Sequence, residues 1–404
     1  MKCSNKHILI GLSGGIAAYK IPELIRSLKK AGAEVRVATT KNALQFVTEL
    51  TLQTLSGSKV YSDVFAAINE HSTEHISLPD WCDMMLVAPA TANVLGKFAA
   101  GIADDALTTT FCSCAARKPI VIAPAMNDKM WECPATQKAI RELRSWQGVT
   151  VLEPAEGELA CGVVGKGRMP EIDVLQEAVE AALTPKTMSG KRVLITAGGT
   201  QEKIDAVRYI SNYSTGKMGF ALAQECARRG AEVTLVAAAV TQHTVDPMGA
   251  IRRIDALSAQ EMYDTCVREW PQHDMAILCA AVADFAPAEA AREKIKKQPG
   301  QTELPLLLHT TPDIARALGE NKRANQQLIG FALETNDEEK NALRKLESKH
   351  LDAIILNSLR QAGAGFATDT NCVTIFTADG HTASLPLASK AEIAAGILEA
   401  ISCQ

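Results

Sequence analysis

A chain of 404 residues, 47% apolar and 22% charged, is too long for one ordinary core and suits two soluble globular domains. Its formal net charge of −4 supplies no global basic field, which argues against a nucleic-acid or anionic-membrane partner. Eleven cysteines without a CxxC pair, no apolar run of the ~18 residues that cross a bilayer, and no signal-peptide core at the N-terminus argue against a disulfide framework and a membrane span, so a reducing cytoplasm is expected.

The chain starts twice. Residues 8–20 (ILIGLSGGIAAYK) and the stretch from 193 (VLITAGGT) are short apolar runs that break into glycines and enter a helical pattern. KKAGAEVRVATT (29–40) is answered by RRGAEVTLVAAA (228–239). In the first half, strands are expected at 7–12, 34–39, 84–88, 119–123 and 149–152, with helices at 16–31, 92–100, 134–146 and 172–183. Such alternation predicts a parallel sheet covered on both faces. The Gly-rich segment 156–171 lacks periodicity and reads as a mobile, lid-like loop. TPKTMSGKR (184–192) marks a domain boundary, giving domains 1–189 and 190–404. The second half predicts strands at 193–197, 232–238, 275–280, 328–332, 353–357 and 372–376. Its helices are expected at 216–229, 258–270, 336–349 and 388–402, and the Lys- and Pro-rich stretch 283–312 reads as a functional loop.

Gly11, Ser13, Gly14 and Gly15 lie where a strand meets a helix. Glycines let backbone approach a phosphate, a helix N-terminus offers free N–H groups, and the Ser13 hydroxyl adds a donor. The second strand ends in Thr39-Thr40 rather than in the acidic residue that NAD ribose calls for, so a mononucleotide fits better than a dinucleotide. A plain βα turn is the alternative. APATAN (88–93) and APAMNDKMW (123–131) place small residues and an Asn at strand ends, where open α/β sheets bind ligands; Thr91 and Asn127 can equally be helix N-caps. His71, Glu74 and His75 match HxxEH, a zinc-protease pattern that needs helix context, and Pro79 is expected to cut that helix. His75 can also be a loop residue or a general base. Cys161 sits in a glycine loop beside Lys166 and Arg168, which can lower its pKa; an incidental loop thiol is the other possibility.

Together GLSGGIAAYK, His75, PATAN, PAMNDKMW and ACGxxGxGRM resemble the flavin-dependent cysteine decarboxylases, more narrowly phosphopantothenoylcysteine decarboxylase. The resemblance implies FMN near Ser13, Gly14, Gly15, Thr39, Thr91, Ala92, Asn93 and Ala125. It implies His75 as base, Asn127 as anchor of the substrate carboxylate and Cys161 as proton donor. Cysteine has no electron sink beside its carboxylate; oxidation of its thiol by FMN creates one.

In the second half, Gly198-Gly199-Thr200 follows a strand and can hold phosphate or ribose. RYISNYSTGK gathers Arg208, Asn212, Ser214, Thr215 and Lys217; Ser211 stands where a P-loop has its first Gly, so a capped helix start is the alternative. Asp284, in AAVADF (280–285), suits ribose hydroxyls. KIKK (294–297) and the pair Lys345 and Lys349, one helical turn apart, can neutralise a triphosphate or be solvated basic faces.

VRYISNxSTGKMG, AAVADF, KIKK, TPDI, GFALET and KxxxK resemble phosphopantothenate–cysteine ligase in its CTP-using bacterial form. That resemblance implies Asp284 and Phe331 at the cytidine, with Ala280 and Thr311, Pro312, Asp313 and Ile314 also at the nucleotide. Lys294, Lys345 and Lys349 would meet the phosphates, and Asn212 and Arg208 the acyl-cytidylate, with Mg2+ as screening ion and no dedicated protein metal site. Decarboxylase first and ligase second is the order of the bifunctional coenzyme A biosynthesis proteins. The implied fold class is α/β, two Rossmann-like domains with mainly parallel sheets. The implied partners are CTP, L-cysteine, 4′-phosphopantothenate and 4′-phosphopantothenoylcysteine. Trimeric decarboxylase domains and dimeric ligase domains would combine into a dodecamer. No residue of 356–372 is assigned.

Overall fold

The computed structural model describes residues 3–65, 74–158, 162, 164–334, 336–358, 365 and 368–402. The chain divides into two compact units, Met1–Pro185 with Val245–Met248, and Lys186–Thr244 with Gly249–Gln404.

In the first unit, β1 (His7–Leu12), β2 (Glu34–Thr39), β3 (Val60–Tyr61), β4 (Met84–Ala90), β5 (Ile120–Pro124) and β6 (Val149–Val151) form one parallel sheet. Its order is β3-β2-β1-β4-β5-β6, which reverses direction between β1 and β4. The helices are α1 (Ile21–Lys30), α2 (Glu49–Ser56), α3 (Glu74–Trp81), α4 (Ala92–Ala100), α5 (Ala106–Cys114), α6 (Asp128–Glu132), α7 (Pro134–Ser145) and α8 (Ile172–Leu183). Alternate residues of β1 feed two cores. Ile8, Ile10 and Leu12 meet Leu24, Ile25 and Leu28 of α1 and Leu175 of α8; Leu9 lies in the opposite core with Phe98 and Phe111. Burying an aliphatic side chain contributes about 1.5–3 kcal/mol, against a few tenths per residue from helix propensity, so the apolar face of α1 decides its existence.

Three expectations need correction here. The helix expected over 16–31 is a 3-10 turn, Ile16–Lys20, followed by α1, because Pro22 fits only the first turn of an α-helix. The glycines therefore do not open directly onto an α-helix N-terminus. The lid-like segment carries a hairpin, β7 (Ala155–Glu158) and β8 (Val164–Arg168), since its glycines alternate with residues that can pair. Helix α3 runs through Pro79 to Trp81; the proline removes only the N–H that would bond the His75 carbonyl.

The second unit repeats the topology. Its strands are β9 (Arg192–Ala197), β10 (Gln201–Lys203), β11 (Tyr209–Ser211), β12 (Glu232–Ala237), β13 (Ile251–Asp255), β14 (Met275–Leu278), β15 (Phe285–Pro287), β16 (Leu308–Thr310), β17 (Gln327–Glu334), β18 (Ala353–Ser358), β19 (Thr370–Thr377) and β20 (Thr382–Ser389). Its helices are α9 (Lys217–Arg228), α10 (Ala259–Glu269), α11 (Ile314–Glu320), α12 (Glu338–Ser348) and α13 (Lys390–Ser402). The main sheet runs β13-β12-β9-β14-β17-β18-β19-β20. It is parallel through β18 and antiparallel beyond. The functional loop expected at 283–312 is closed at its base by the antiparallel pair β15–β16. No helix among the described residues is long and apolar enough to cross a membrane.

Candidate functional site

The first unit holds a cavity of about 1240 Å³ at the turn-around between β1 and β4, where open α/β sheets bind ligands. Its wall takes Ser13, Gly14 and Gly15 after β1, Thr40 after β2, Thr91 and Asn93 after β4, and Ala125 and Asn127 after β5. It exceeds the few hundred to ~1,000 Å³ of an ordinary ligand pocket, so a cofactor and a substrate fit together.

Most expected residues are brought together, though not always in the expected role. Ser13 is fully buried. Its hydroxyl donates to the Pro89 carbonyl at 2.7 Å and accepts from the Thr91 N–H at 3.0 Å. The side chain thus ties β1 to β4, and Ser13 and the backbone after it line the cavity. Thr91 stands at the N-cap of α4 without capping it. Asn127 does cap α6, its Oδ1 accepting from the Lys129 N–H at 3.0 Å. Thr39 lies outside the wall, yet its hydroxyl is buried with no hydrogen-bond partner. At Gly14 an added Cβ would sit 2.5 Å from the Asn42 Cβ, so only glycine lets these two loops meet.

Ala92 and His75 are not on the wall. His75 is half-buried on α3, a helix separated from the cavity residue Phe65 by a segment outside the described residues. His71 and Cys161 also lie outside them. Among the described residues, no group of three His, Cys, Asp or Glu side chains could hold a metal ion.

An acidic doublet on the wall was not anticipated. Lys97 of α4 meets Asp104 at 2.6 Å and Asp105 at 3.3 Å. The Asp104 hydrogen bond holds the Lys97 ammonium above its ordinary pKa. The signal was present in GIADDA, where Gly101 stops α4 and Asp105 caps α5.

In the second unit the equivalent turn-around lies between β9 and β14. Gly198-Gly199-Thr200, left unclear by the sequence, proves to clamp the AAVADF loop. Ala281 N–H donates to the Gly198 carbonyl, Thr200 N–H to the Ala281 carbonyl, and Ala283 N–H to the Thr200 hydroxyl. Asn212 Nδ2 adds a bond to the Ala281 carbonyl at 2.9 Å, and the Thr311 hydroxyl one to the Ala283 carbonyl. The Ala280 N–H donates to the Thr196 hydroxyl at 3.1 Å. Asp284, Lys294 and Arg208 are exposed beside this scaffold, and Phe331 and Pro312 are half-buried.

The lysines do not converge as expected. Lys345 pairs with Glu334 at 2.7 Å and Lys349 with Asp313 at 3.0 Å. Asp313 also caps α11, and the Ile314 side chain is committed to the core. The amide oxygen of Asn357 is buried without a partner. In register, Asn357 opposes Leu333 and shares the Phe331 face, an assignment the sequence lacked.

Two switch-point sheets, the first with a small-residue cavity at its turn-around, define a two-domain α/β protein. Family models agree: residues 1–184 match Flavoprotein, and residues 188–403 match the DNA/pantothenate metabolism flavoprotein C-terminal domain. The chain is 45% identical to a coenzyme A biosynthesis bifunctional protein of Bacillus subtilis, over 99% of this chain and 97% of that one. It is 46% identical to a cysteine/cysteine sulfinic acid decarboxylase of an unknown prokaryote, over 88% of this chain and 98% of that one. The solved C-terminal domain of a coenzyme A biosynthesis bifunctional protein is 36% identical, covering 54% of this chain and 96% of that chain with a TM-score of 0.45. The chain belongs to the family of bifunctional coenzyme A biosynthesis proteins, which carry a decarboxylase and a phosphopantothenate–cysteine ligase on one chain.

Proposed function

We propose that residues 1–189 decarboxylate 4′-phosphopantothenoylcysteine to 4′-phosphopantetheine with FMN, and that residues 190–404 make that substrate from 4′-phosphopantothenate, L-cysteine and CTP. The observation that carries the first half is the cavity at the β1–β4 turn-around of a flavoprotein-family unit. Its residues fit the cofactor: glycine backbone at 14–15, small side chains at Ala125, and the unpartnered Thr39 hydroxyl behind the wall. When bound, FMN would supply the reversible two-electron oxidation of the cysteine thiol that creates an electron sink beside the carboxylate, with no net oxidation overall.

The chain's own residues bind and move protons. Backbone at Gly14 and Gly15, with Thr91, Ala92 and Asn93, holds the cofactor against the strand ends. Asn127 donates from its amide NH2 to the substrate carboxylate. His75 accepts the proton released on the way in, and Cys161 returns one to the product carbon.

In the ligase, the pantothenate carboxylate attacks the α-phosphorus of CTP and pyrophosphate leaves. The cysteine amine then attacks the acyl carbon, and CMP leaves. Asn212 and Arg208 hold the acyl-cytidylate. Asp284 and Phe331 flank the cytidine beside Ala280, Thr311 and Pro312. Lys294, Lys345 and Lys349 neutralise phosphates once the nucleotide displaces the carboxylates of Glu334 and Asp313. Mg2+ would be carried by the triphosphate itself and screen it. The assembly joins trimeric decarboxylase units and dimeric ligase units into a dodecamer, working in the cytoplasm.

Separate assays of Cys161→Ser and Asn212→Asp test the site assignments. Each should impair its own half-reaction and spare the other; two unimpaired variants would sink both assignments. Offering free cysteine beside 4′-phosphopantothenoylcysteine separates this activity from that named for the cysteine decarboxylase relative.

A further inference from the structure

Asp205 lies in the turn between β10 and β11, and its side chain is wholly buried. A carboxylate is kept out of water only where hydrogen bonds offset its desolvation, and here they come from two separate loops. One oxygen, Oδ1, accepts from the Val207 and Arg208 N–H groups, each at 2.8 Å. The other, Oδ2, accepts from Arg208 Nε at 2.9 Å, from Arg208 Nη2, and from the Ile295 N–H at 3.1 Å. Arg208 Nη2 also donates to the Ile295 carbonyl at 2.8 Å. A backbone bond from Ala291 N–H to the Ile204 carbonyl runs alongside.

The two oxygens do different things. Oδ1 closes a local turn, as an Asp in a loop commonly does. Oδ2 reaches across to the Lys-rich loop, one residue from Lys294, and fixes the Arg208 guanidinium in passing. With Nε and Nη2 spent on this tie, Nη1 is the donor of Arg208 that remains for a ligand.

We propose that Asp205 is a positioning residue of the ligase: through Oδ2 it holds Arg208 and the Lys294 segment in one arrangement, so that both meet the acyl-cytidylate together. This rests on the roles given to Arg208 and Lys294 above.

Asp205→Asn is the selective variant. It keeps Oδ1 and the turn, and it replaces the acceptor of the tie with an NH2 group. In the full-length protein, pyrophosphate release and cysteine-dependent turnover are measured separately, with decarboxylation of 4′-phosphopantothenoylcysteine as the internal standard. The expected result is a fall in ligase kcat of about ten- to a hundredfold, the scale of a small misplacement at a reacting centre, with decarboxylation unchanged. Asp205→Asn combined with Arg208→Gln should lose less than the product of the two single losses, because part of the Asp205 effect passes through Arg208. Ile295→Pro, which removes the donor from the other loop, should reproduce the loss and guards against a folding defect peculiar to Asp205→Asn. Wild-type ligase kinetics in Asp205→Asn, beside an impaired Arg208→Gln, would overturn the tie alone. Unimpaired Arg208→Gln would overturn the role of Arg208 and the proposal with it. Full additivity of the two substitutions would also overturn it.

Discussion

Gly167 lies so close to Met126 that a Cβ added to it would sit 2.2 Å from the Met126 carbonyl oxygen. In return the Met126 N–H donates to the Gly167 carbonyl at 2.9 Å. This contact seats the β7–β8 hairpin on the loop that carries Asn127. The hairpin is further held by Lys166, which pairs with Glu153 and lies over the Trp131 ring. Gly167→Ala must push the hairpin off, at about 1–3 kcal/mol for overpacking. Decarboxylation should fall at least tenfold while ligation stays within twofold. Unchanged decarboxylation would show that the seating of the hairpin does not matter to the cavity.

His273 sets a pH limit on the second unit. The ring is buried between the Glu269 carbonyl at 2.8 Å and the Thr234 hydroxyl at 2.9 Å. Burial holds its pKa below the ordinary histidine value, outweighing the bond to Glu269 that raises it. The folded state thus binds a proton less readily than the unfolded chain. Stability from this group is complete above about pH 6.5, the unfolded value, and is lost as pH falls toward the lower folded value, at up to about 1.4 kcal/mol per pH unit. Carboxylates act below about pH 4 and leave this window clear. Melting of the ligase unit followed from pH 7 to 5 should show the decline, and His273→Gln should flatten it. An equal slope in both proteins would assign the decline elsewhere.

Arg229 and Glu225 form a buried pair at 2.9 Å on α9, and Arg229 also reaches Ala395 and Glu399 of α13. Neither partner is more than 9% exposed at its side chain. Removing Glu225 takes from Arg229 its buried carboxylate and leaves it the more exposed Glu399, a loss of up to about 3–5 kcal/mol. Glu225→Ala should lower the urea midpoint of the ligase unit by that much. Glu225→Leu with Arg229→Met should recover most of it, because an apolar pair carries no desolvation cost. If the double variant proves worse than the single one, the pair stabilises by more than its neutralisation.

The doubled opening of the chain was legible because each half places apolar strands before glycines, and both sheets share the same order, β3-β2-β1-β4-β5-β6 and β13-β12-β9-β14-β17-β18. That Ser13, Thr91 and Asn127 line one cavity was legible for the same reason: they follow strand ends. What their side chains bond was not legible. The Ser13 hydroxyl meets Pro89 and Thr91 only because β1 and β4 are neighbours, a fact of topology rather than spacing. The 3-10 turn after Gly15 follows from Pro22, which suits only the first turn of an α-helix. Asp205 escaped notice because its two partners, Arg208 and Ile295, are joined by the fold and not by the motif that holds Arg208.

The pair Lys349–Asp313 competes with the role proposed for Lys349 on the nucleotide phosphates. Burial raises the Asp313 carboxyl's pKa, but the Arg316 N–H and the Lys349 ammonium outweigh it, so it stays ionised below the usual carboxylate range. Between pH 5 and 8 the pair is therefore intact and Lys349 is occupied. On the proposed role of Lys349, a triphosphate draws the ammonium away from Asp313 before it gains its charge. Asp313→Asn removes the competitor and keeps the helix cap, since Asn caps as well as Asp and can still accept from the Arg316 N–H. A partly exposed pair is worth about 0.2–1 kcal/mol, so the KM for CTP should fall by up to about fivefold, with kcat little changed. The gap between variant and wild type should narrow at high salt, where the pair is screened. A rise in KM instead would mean that the Asp313 carboxylate touches the nucleotide or its metal directly, and that Lys349 serves only to hold it there.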